Sequence, residues 1–144
     1  MLRLSKRVEY GLLAMQDMAR RPDTVVSAKD VAERYAISQS LLAKVLQQLV
    51  RAGVVRSFSG VNGGYVLALD PTTVSIEQVI TAIEGSSAAL VDCQDTEDHD
   101  CAAHEHCTIK APLAILQERI NATFRSMSLA ELASPRHYVQ LEVS

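Results

Sequence analysis

The sequence predicts a mostly α fold with one two-stranded β-hairpin in its middle. Three observations predict it. Apolar residues recur every three or four positions through most of the chain, which places them on one helical face. Several of these segments open on a serine followed three residues later by an acid or amide, the grammar of a helix start. One central stretch instead has a strand pattern, split by a glycine-rich run.

Each element follows in order. Over residues 4–20, Val8, Gly11, Leu12, Met15, Met18 and Ala19 keep a helical period, and Arg20-Arg21-Pro22-Asp23 ends it. Ser27 caps a second helix reaching about Tyr35. Asp30 is expected to complete a capping box there, with Val26 and Val31 as the flanking apolar pair. Ser38 caps a third helix, Gln39–Arg51. Its residues Leu41, Leu42, Val45, Leu46, Leu49 and Val50 form one buried stripe. Gln39, Ser40, Ala43, Lys44, Gln47, Gln48 and Arg51 remain on the other face, and Gly53 suits the helix end.

Residues 54–58 and 65–69 read as strands around Ser59-Gly60-Val61-Asn62-Gly63-Gly64. The Asn-Gly pair and the three glycines supply the positive φ angles of a hairpin turn. Ser75 with Gln78, flanked by Val74 and Val79, opens a fourth helix that ends near Glu84-Gly85. Residues 86–107 lack periodicity. Pro112 fits the first turn of a fifth helix. There Leu113, Leu116, Ile120, Phe124 and Met127 step by three or four, close to a heptad seam. Ser128 with Glu131 opens a short last helix, which stops before Ser134-Pro135.

Helix, capped helix, tight turn, capped helix and Gly-rich hairpin is the order of a winged helix-turn-helix. The fold class is therefore a winged helix-turn-helix DNA-binding domain with a two-stranded wing and a long C-terminal dimerisation helix. Residues 1–85 form the DNA-binding domain and 86–110 a cysteine-rich loop. The dimerisation helix and short terminal helix span 111–134, and 135–144 form a tail.

Charge agrees with that division. Residues 1–69 carry ten Lys/Arg against five Asp/Glu, whereas 70–144 carry four against twelve. A polyanion must meet the front half. The third helix would lie in the major groove, with Gln39 and Ser40 at base edges and Lys44 on a phosphate or guanine. Arg56 and the wing tip at Val61-Asn62 would approach the adjacent minor groove. Arg3, Lys6, Arg7 and Arg51 are candidates for phosphate neutralisation. Leu113, Leu116, Ile120 and Phe124 call for a partner helix, hence a homodimer on a pseudo-palindromic double-stranded operator.

The chemistry-bearing feature is the spacing C-x7-C-x5-C made by Cys93, Cys101 and Cys107, the only cysteines present. Three thiols cannot all pair within one chain. Three soft ligands on one segment suit an iron–sulfur cluster or a zinc ion. Zinc would use Cys93, Cys101, His104 and Cys107; a metal-free thiol switch is the third alternative. Asp92, Asp95, Glu97, Asp98, Asp100 and Glu105 make the loop acidic. No run of about 18 apolar residues crosses a membrane. The amino terminus lacks a signal-peptide pattern, so a cytoplasmic protein with reduced thiols is expected. The chain has no Gly-rich phosphate loop, no G-x-S-x-G, no H-E-x-x-H and no C-x-x-C, so neither an enzyme nor a small-molecule substrate is expected.

These residues resemble the Rrf-two family of bacterial transcription regulators, from Met1 to about Ala133. The resemblance rests on the opening Leu2-Arg-Leu-Ser-Lys, the wing Gly60-Val-Asn-Gly-Gly-Tyr65, the Glu84-Gly85 helix end, the three cysteines and Ser128-Leu-Ala-Glu-Leu132. The Met-Leu-Arg start and the Ile-Asn before Ser-Leu are most similar to regulators of the SUF iron–sulfur assembly system. The resemblance implies a homodimer with crossing fifth helices and a cluster, [2Fe–2S] or [4Fe–4S], on Cys93, Cys101 and Cys107. IscR-like members take a fourth ligand from a histidine three residues after the third cysteine, where this chain has Lys110. NsrR-like members use a carboxylate on the other subunit's first helix. The matching residue here is Glu9, with His99, His104 and His106 as rivals. The x7 gap is longer than the family's usual x5. The implied function is a repressor sensing cluster status; the alternatives are a nitric oxide or redox sensor of the same family, or a zinc-stabilised winged-helix protein.

Overall fold

Ser5 opens the first helix in this computed structural model, which describes residues 3–86, 89–91 and 104–134. Its hydroxyl accepts the Val8 N–H, and α1 runs Lys6–Arg20. The order continues with α2 (Ala28–Tyr35), α3 (Gln39–Arg51), β1 (Val55–Phe58), β2 (Gly64–Leu67) and α4 (Ile76–Glu84). A 3-10 turn at His104–His106, α5 (Lys110–Ser126) and α6 (Leu129–Ala133) follow. The fold class expected from the sequence is the one observed. Among the described residues no helix is long and apolar enough to cross a membrane.

Serine caps set most of the boundaries. Ser27, Ser38, Ser75 and Ser128 each accept a backbone N–H from the first turn they precede. A cap of this kind contributes about 1 kcal/mol. At Ser75 and Ser128 the capping box is complete, with Gln78 and Glu131 reaching back to the cap N–H. At Ser27 only the serine half forms. Asp30 is one methylene shorter than the glutamate such a box prefers, which corrects the expected reciprocal bond. Between α2 and α3, Ala36 takes the left-handed conformation (φ 52°) and its N–H returns to the Ala32 carbonyl. That sharp stop makes the helix-turn-helix.

The core sits where α1 crosses α3 and α4. Met15, Met18, Leu42, Leu46, Leu49 and Ile83 are fully buried there, joined by Leu129 of α6. Gly11 lets these helices meet. A Cβ at Gly11 would lie 2.5 Å from Ile83 Cδ1 and 3.1 Å from Val45 Cγ1. The returning α6 is tied down by its own backbone: the Leu129 N–H donates to the Val74 carbonyl at 2.8 Å. Its last carbonyls, which have no helical partners, accept from α1. Gln16 Nε2 reaches Leu132 O (2.9 Å) and Arg20 Nε reaches Ala133 O (3.0 Å).

The wing is antiparallel, pairing Val55 with Leu67 and Phe58 with Gly64. Val26 adds a bridge to Tyr65 from the far side, with N–H···O distances of 2.9 and 2.8 Å. Val26 thus pairs through its backbone as well as packing beside the Ser27 cap. Two of the three glycines in the run 59–64 supply the expected positive φ, Gly60 (103°) and Gly64 (158°), whereas Asn62 and Gly63 do not. Gly63 is needed for room instead: a Cβ there would lie 2.4 Å from the Phe58 carbonyl oxygen.

Candidate nucleic-acid interface and metal centre

Burying Leu42, Val45, Leu46 and Leu49 turns the opposite face of α3 to solvent. Gln39 and Ser40, its first two residues, are exposed, as are Lys44 and Gln47 one and two turns on. No acidic side chain occupies the first turn of α3. The positive end of its dipole is therefore left for an outside anion, such as a nucleic-acid phosphate. On the same domain Arg51 and Arg56 are exposed, and Val61 and Asn62 form the fully exposed wing tip.

The structure sorts the basic side chains of the front half into two groups. Arg3, Lys44, Arg51 and Arg56 are exposed and make no ion pair among the described residues. Others are structural. Arg20 caps α6. Arg21 and Arg34 converge on Asp17, which is only 5% exposed, with Nη–Oδ2 distances of 3.4 and 2.5 Å. The Tyr35 hydroxyl donates to the other Asp17 oxygen at 3.2 Å. This cluster locks α1 to the end of α2, just before the turn. Sequence reasoning missed it. The signal was an aspartate at helical spacing from Ala14 and next to Met18, on the face that is otherwise apolar.

Arg7 and Gln48 also depart from their expected places. Both are half-buried. Arg7 Nη2 lies 2.5 Å from Gln48 Oε1, and Gln48 Nε2 donates to the Ile83 carbonyl at 3.2 Å. Arg7 is therefore used between helices rather than held out for a phosphate, and Gln48 leaves the solvated face of α3.

Lys6 and Glu9 pair across one turn of α1 at 2.7 Å, both in contact with water. The carboxylate raises the Lys6 ammonium pKa, chiefly through that hydrogen bond. Such an exposed pair is a weak tie, so Glu9 remains able to accept another cation. It stands at the rim of a shallow apolar groove formed by Leu12, Leu13, Gln16 and Leu132.

Along α5 the seam divides. Phe124 packs against the chain's own core, together with Met127. Leu113 and Ile120 are half-buried, and Leu116 is 45% exposed beside Ile115 at 58%. Asn121 is the buried residue of this helix; its side-chain oxygen accepts from Gln117, which in turn holds the Leu90 N–H at 2.7 Å.

Cys107 is a half-buried free thiol three residues before α5, and His106 beside it is exposed. Cys93, Cys101 and His99 lie outside the described residues, as does the side chain of His104. Among the described residues, no group of three or more His, Cys, Asp or Glu side chains is placed to hold a metal ion.

Comparison with known proteins identifies this arrangement. The family model described as "Rrf2: Iron-dependent Transcriptional regulator" matches residues 4–135. The HTH-type transcriptional regulator IscR of Yersinia enterocolitica is 32% identical over 141 residues, covering 97% of this chain and 84% of that one. BadM of Rhodopseudomonas palustris, also named as an HTH-type regulator, is 36% identical over 131 residues, 91% of this chain and 81% of its own. Among solved structures, CymR of B. subtilis, the global cysteine regulator, superposes with a TM-score of 0.72 at 26% identity. It covers 92% of this chain and 97% of its own. T. potens IscR gives 0.68 at 28% identity, over 91% and 85%. These relatives are regulators rather than enzymes. The chain belongs to the Rrf2 family and is an IscR-like winged helix-turn-helix transcriptional regulator.

Proposed function

We propose that this protein is a cytoplasmic homodimeric repressor that senses iron–sulfur cluster status and controls SUF-type cluster-assembly genes. The observation that supports the reading is that one chain carries two incompletely covered apolar surfaces. The α5 seam leaves Leu113, Leu116 and Ile120 without full cover, and α1 carries an apolar groove with Glu9 at its rim. A second copy whose α5 covers that groove would bring its cysteine loop toward Glu9.

Cys93, Cys101 and Cys107 of one subunit and Glu9 of the other would hold the cluster, which supplies a soft, oxidant-sensitive link between subunits. Lys6 releases Glu9 at small cost, because their pairing is open to water. The two recognition helices then take a spacing set by the dimer. Gln39, Ser40 and Lys44 read a pseudo-palindromic operator, while Arg3, Arg51, Arg56 and the Asn62 wing tip approach its backbone. Cluster occupancy changes operator affinity only by its differential affinity for the two dimer states.

Anaerobic purification with iron, acid-labile sulfide and zinc analysis tests the reading. Iron and sulfide in near-equal amounts, lost more readily in Glu9→Ala, are expected. Zinc without sulfide would leave the DNA-binding part standing and remove the sensing part.

A further inference from the structure

We propose that Gln48 is a positioning residue that relays the state of the first turn of α1 to the recognition helix. The proposal rests on the cluster-sensing reading above and adds the route by which α3 responds.

The first turn of α1 is tied at its cap as well as along its side. Ser5 caps the helix, and its hydroxyl also donates to the Glu84 carboxylate at the end of α4. Arg7 and Glu9 are two residues apart, so they point about 200° apart around the helix. Glu9 faces the groove and Arg7 faces inward. A turn of α1 that moves Glu9 toward a ligand therefore swings Arg7 the other way.

Arg7 does not swing freely. Its Nη2 donates to Gln48 Oε1 at 2.5 Å and approaches the Ile83 carbonyl at 3.4 Å. Gln48 closes the triangle by donating to the same carbonyl at 3.2 Å. The Arg7–Gln48 bond is charge-assisted and half shielded from water, so it is stronger and more directional than a neutral surface contact. Gln48 lies one turn beyond Lys44 on α3, the helix that also presents Gln39 and Ser40.

Packing leaves little slack for the movement to dissipate. At Gly11, one turn beyond Arg7, α1 approaches so closely that a Cβ would lie 2.5 Å from Ile83 Cδ1 and 3.1 Å from Val45 Cγ1, and those side-chain tips would have to shift. Val45 belongs to α3 and Ile83 to α4. Tightly packed contacts are displaced together rather than compressed. The Gly11 contact holds α1 against α3 and α4, and the Arg7–Gln48–Ile83 triangle carries a rotation of the first turn of α1 to α3.

The experiment compares operator affinity of apo and cluster-loaded full-length protein in four forms: wild type, Gln48→Met, Arg7→Met and the double variant. Gln48→Met keeps the side-chain length but can neither accept from Arg7 nor donate to Ile83. Each single variant is expected to bring the holo-to-apo affinity ratio about three- to tenfold closer to one. The double variant should fall no further, because both remove the same link. Gln48→Glu, which still accepts from Arg7 but cannot donate to Ile83, should retain more of the wild-type ratio than Gln48→Met. Cluster content and thermal unfolding are followed in parallel; a purely structural loss would lower both apo and holo binding and leave their ratio intact. An unchanged ratio in both single variants, or independent effects in the double, overturns the relay. A wild-type ratio of one overturns the sensing reading and the relay together, so the two failures are distinct.

Discussion

Arg125 forks onto Glu77: Nε lies 2.7 Å from Oε2 and Nη2 3.1 Å from Oε1. The pair fastens the last turn of α5 to the first turn of α4. Glu77 also favours the positive end of α4 on which it sits. Glu77 is the more shielded partner, and the guanidinium reaches it from solvent. The fork therefore orients α5 as it leaves the domain, more than it stabilises the core.

Arg125→Ala is expected to leave the winged domain folded and to weaken self-association, since α5 loses its fixed direction. Arg125→Lys should recover little, because an ammonium cannot make the two-point contact. Sedimentation equilibrium of both variants checks this, and wild-type association for Arg125→Ala would refute it. Raising the salt concentration in the wild type should act in the same direction, because the pair is partly exposed.

Lys44→Ala should weaken operator binding and lower the salt dependence of the affinity by about one unit of slope. Arg7→Ala should leave that slope nearly unchanged, because the structure uses its guanidinium between α1, α3 and α4. Gel-shift titrations over a salt series distinguish the two. Equal slopes for both variants would contradict the sorting of basic side chains described above.

Gly63→Ala is expected to displace the wing. Its Cβ would meet the Phe58 carbonyl oxygen at 2.4 Å and the Gly60 carbonyl oxygen at 2.9 Å. Backbone atoms cannot move aside as a side-chain tip can. The loss of stability should be about 1–3 kcal/mol, with a larger effect on operator binding than Asn62→Ala, which leaves the turn intact. Urea unfolding and binding titrations read the two effects separately.

Asp17→Ala should destabilise the fold about as much as Gly63→Ala. It removes a buried carboxylate that accepts from Arg34, Tyr35 and Arg21. The arginines remain in contact with water, so the cost is discounted from that of a fully buried pair, to about 1–3 kcal/mol. Asp17→Asn retains an acceptor for Tyr35 and should lose less. Urea midpoints at neutral pH give the order, and Asn losing as much as Ala would show that charge dominates over the hydrogen bonds.

Local structure was legible because its causes are local. The serine caps, the stripe Leu42-Val45-Leu46-Leu49 and the glycine-rich wing each draw on neighbours a few residues away. The exposure of Gln39, Ser40 and Lys44 follows from that stripe alone. The sequence by itself thus determined the element order, the winged helix-turn-helix and the face of α3 turned outward. It also showed that three thiols share one segment.

Tertiary structure decided which polar residues remain available. Arg7 and Lys6 are adjacent in sequence, yet one is held between helices and the other meets water. Arg34 and Arg56 look alike in composition, and only the buried Asp17 separates their roles. The same holds for the seam: Phe124 is covered by its own core while Leu116 is not. Such differences arise from contacts between residues far apart in the chain, whose energies depend on burial and donor geometry. Periodicity records which face a residue occupies, whereas its partner is set only when the helices pack.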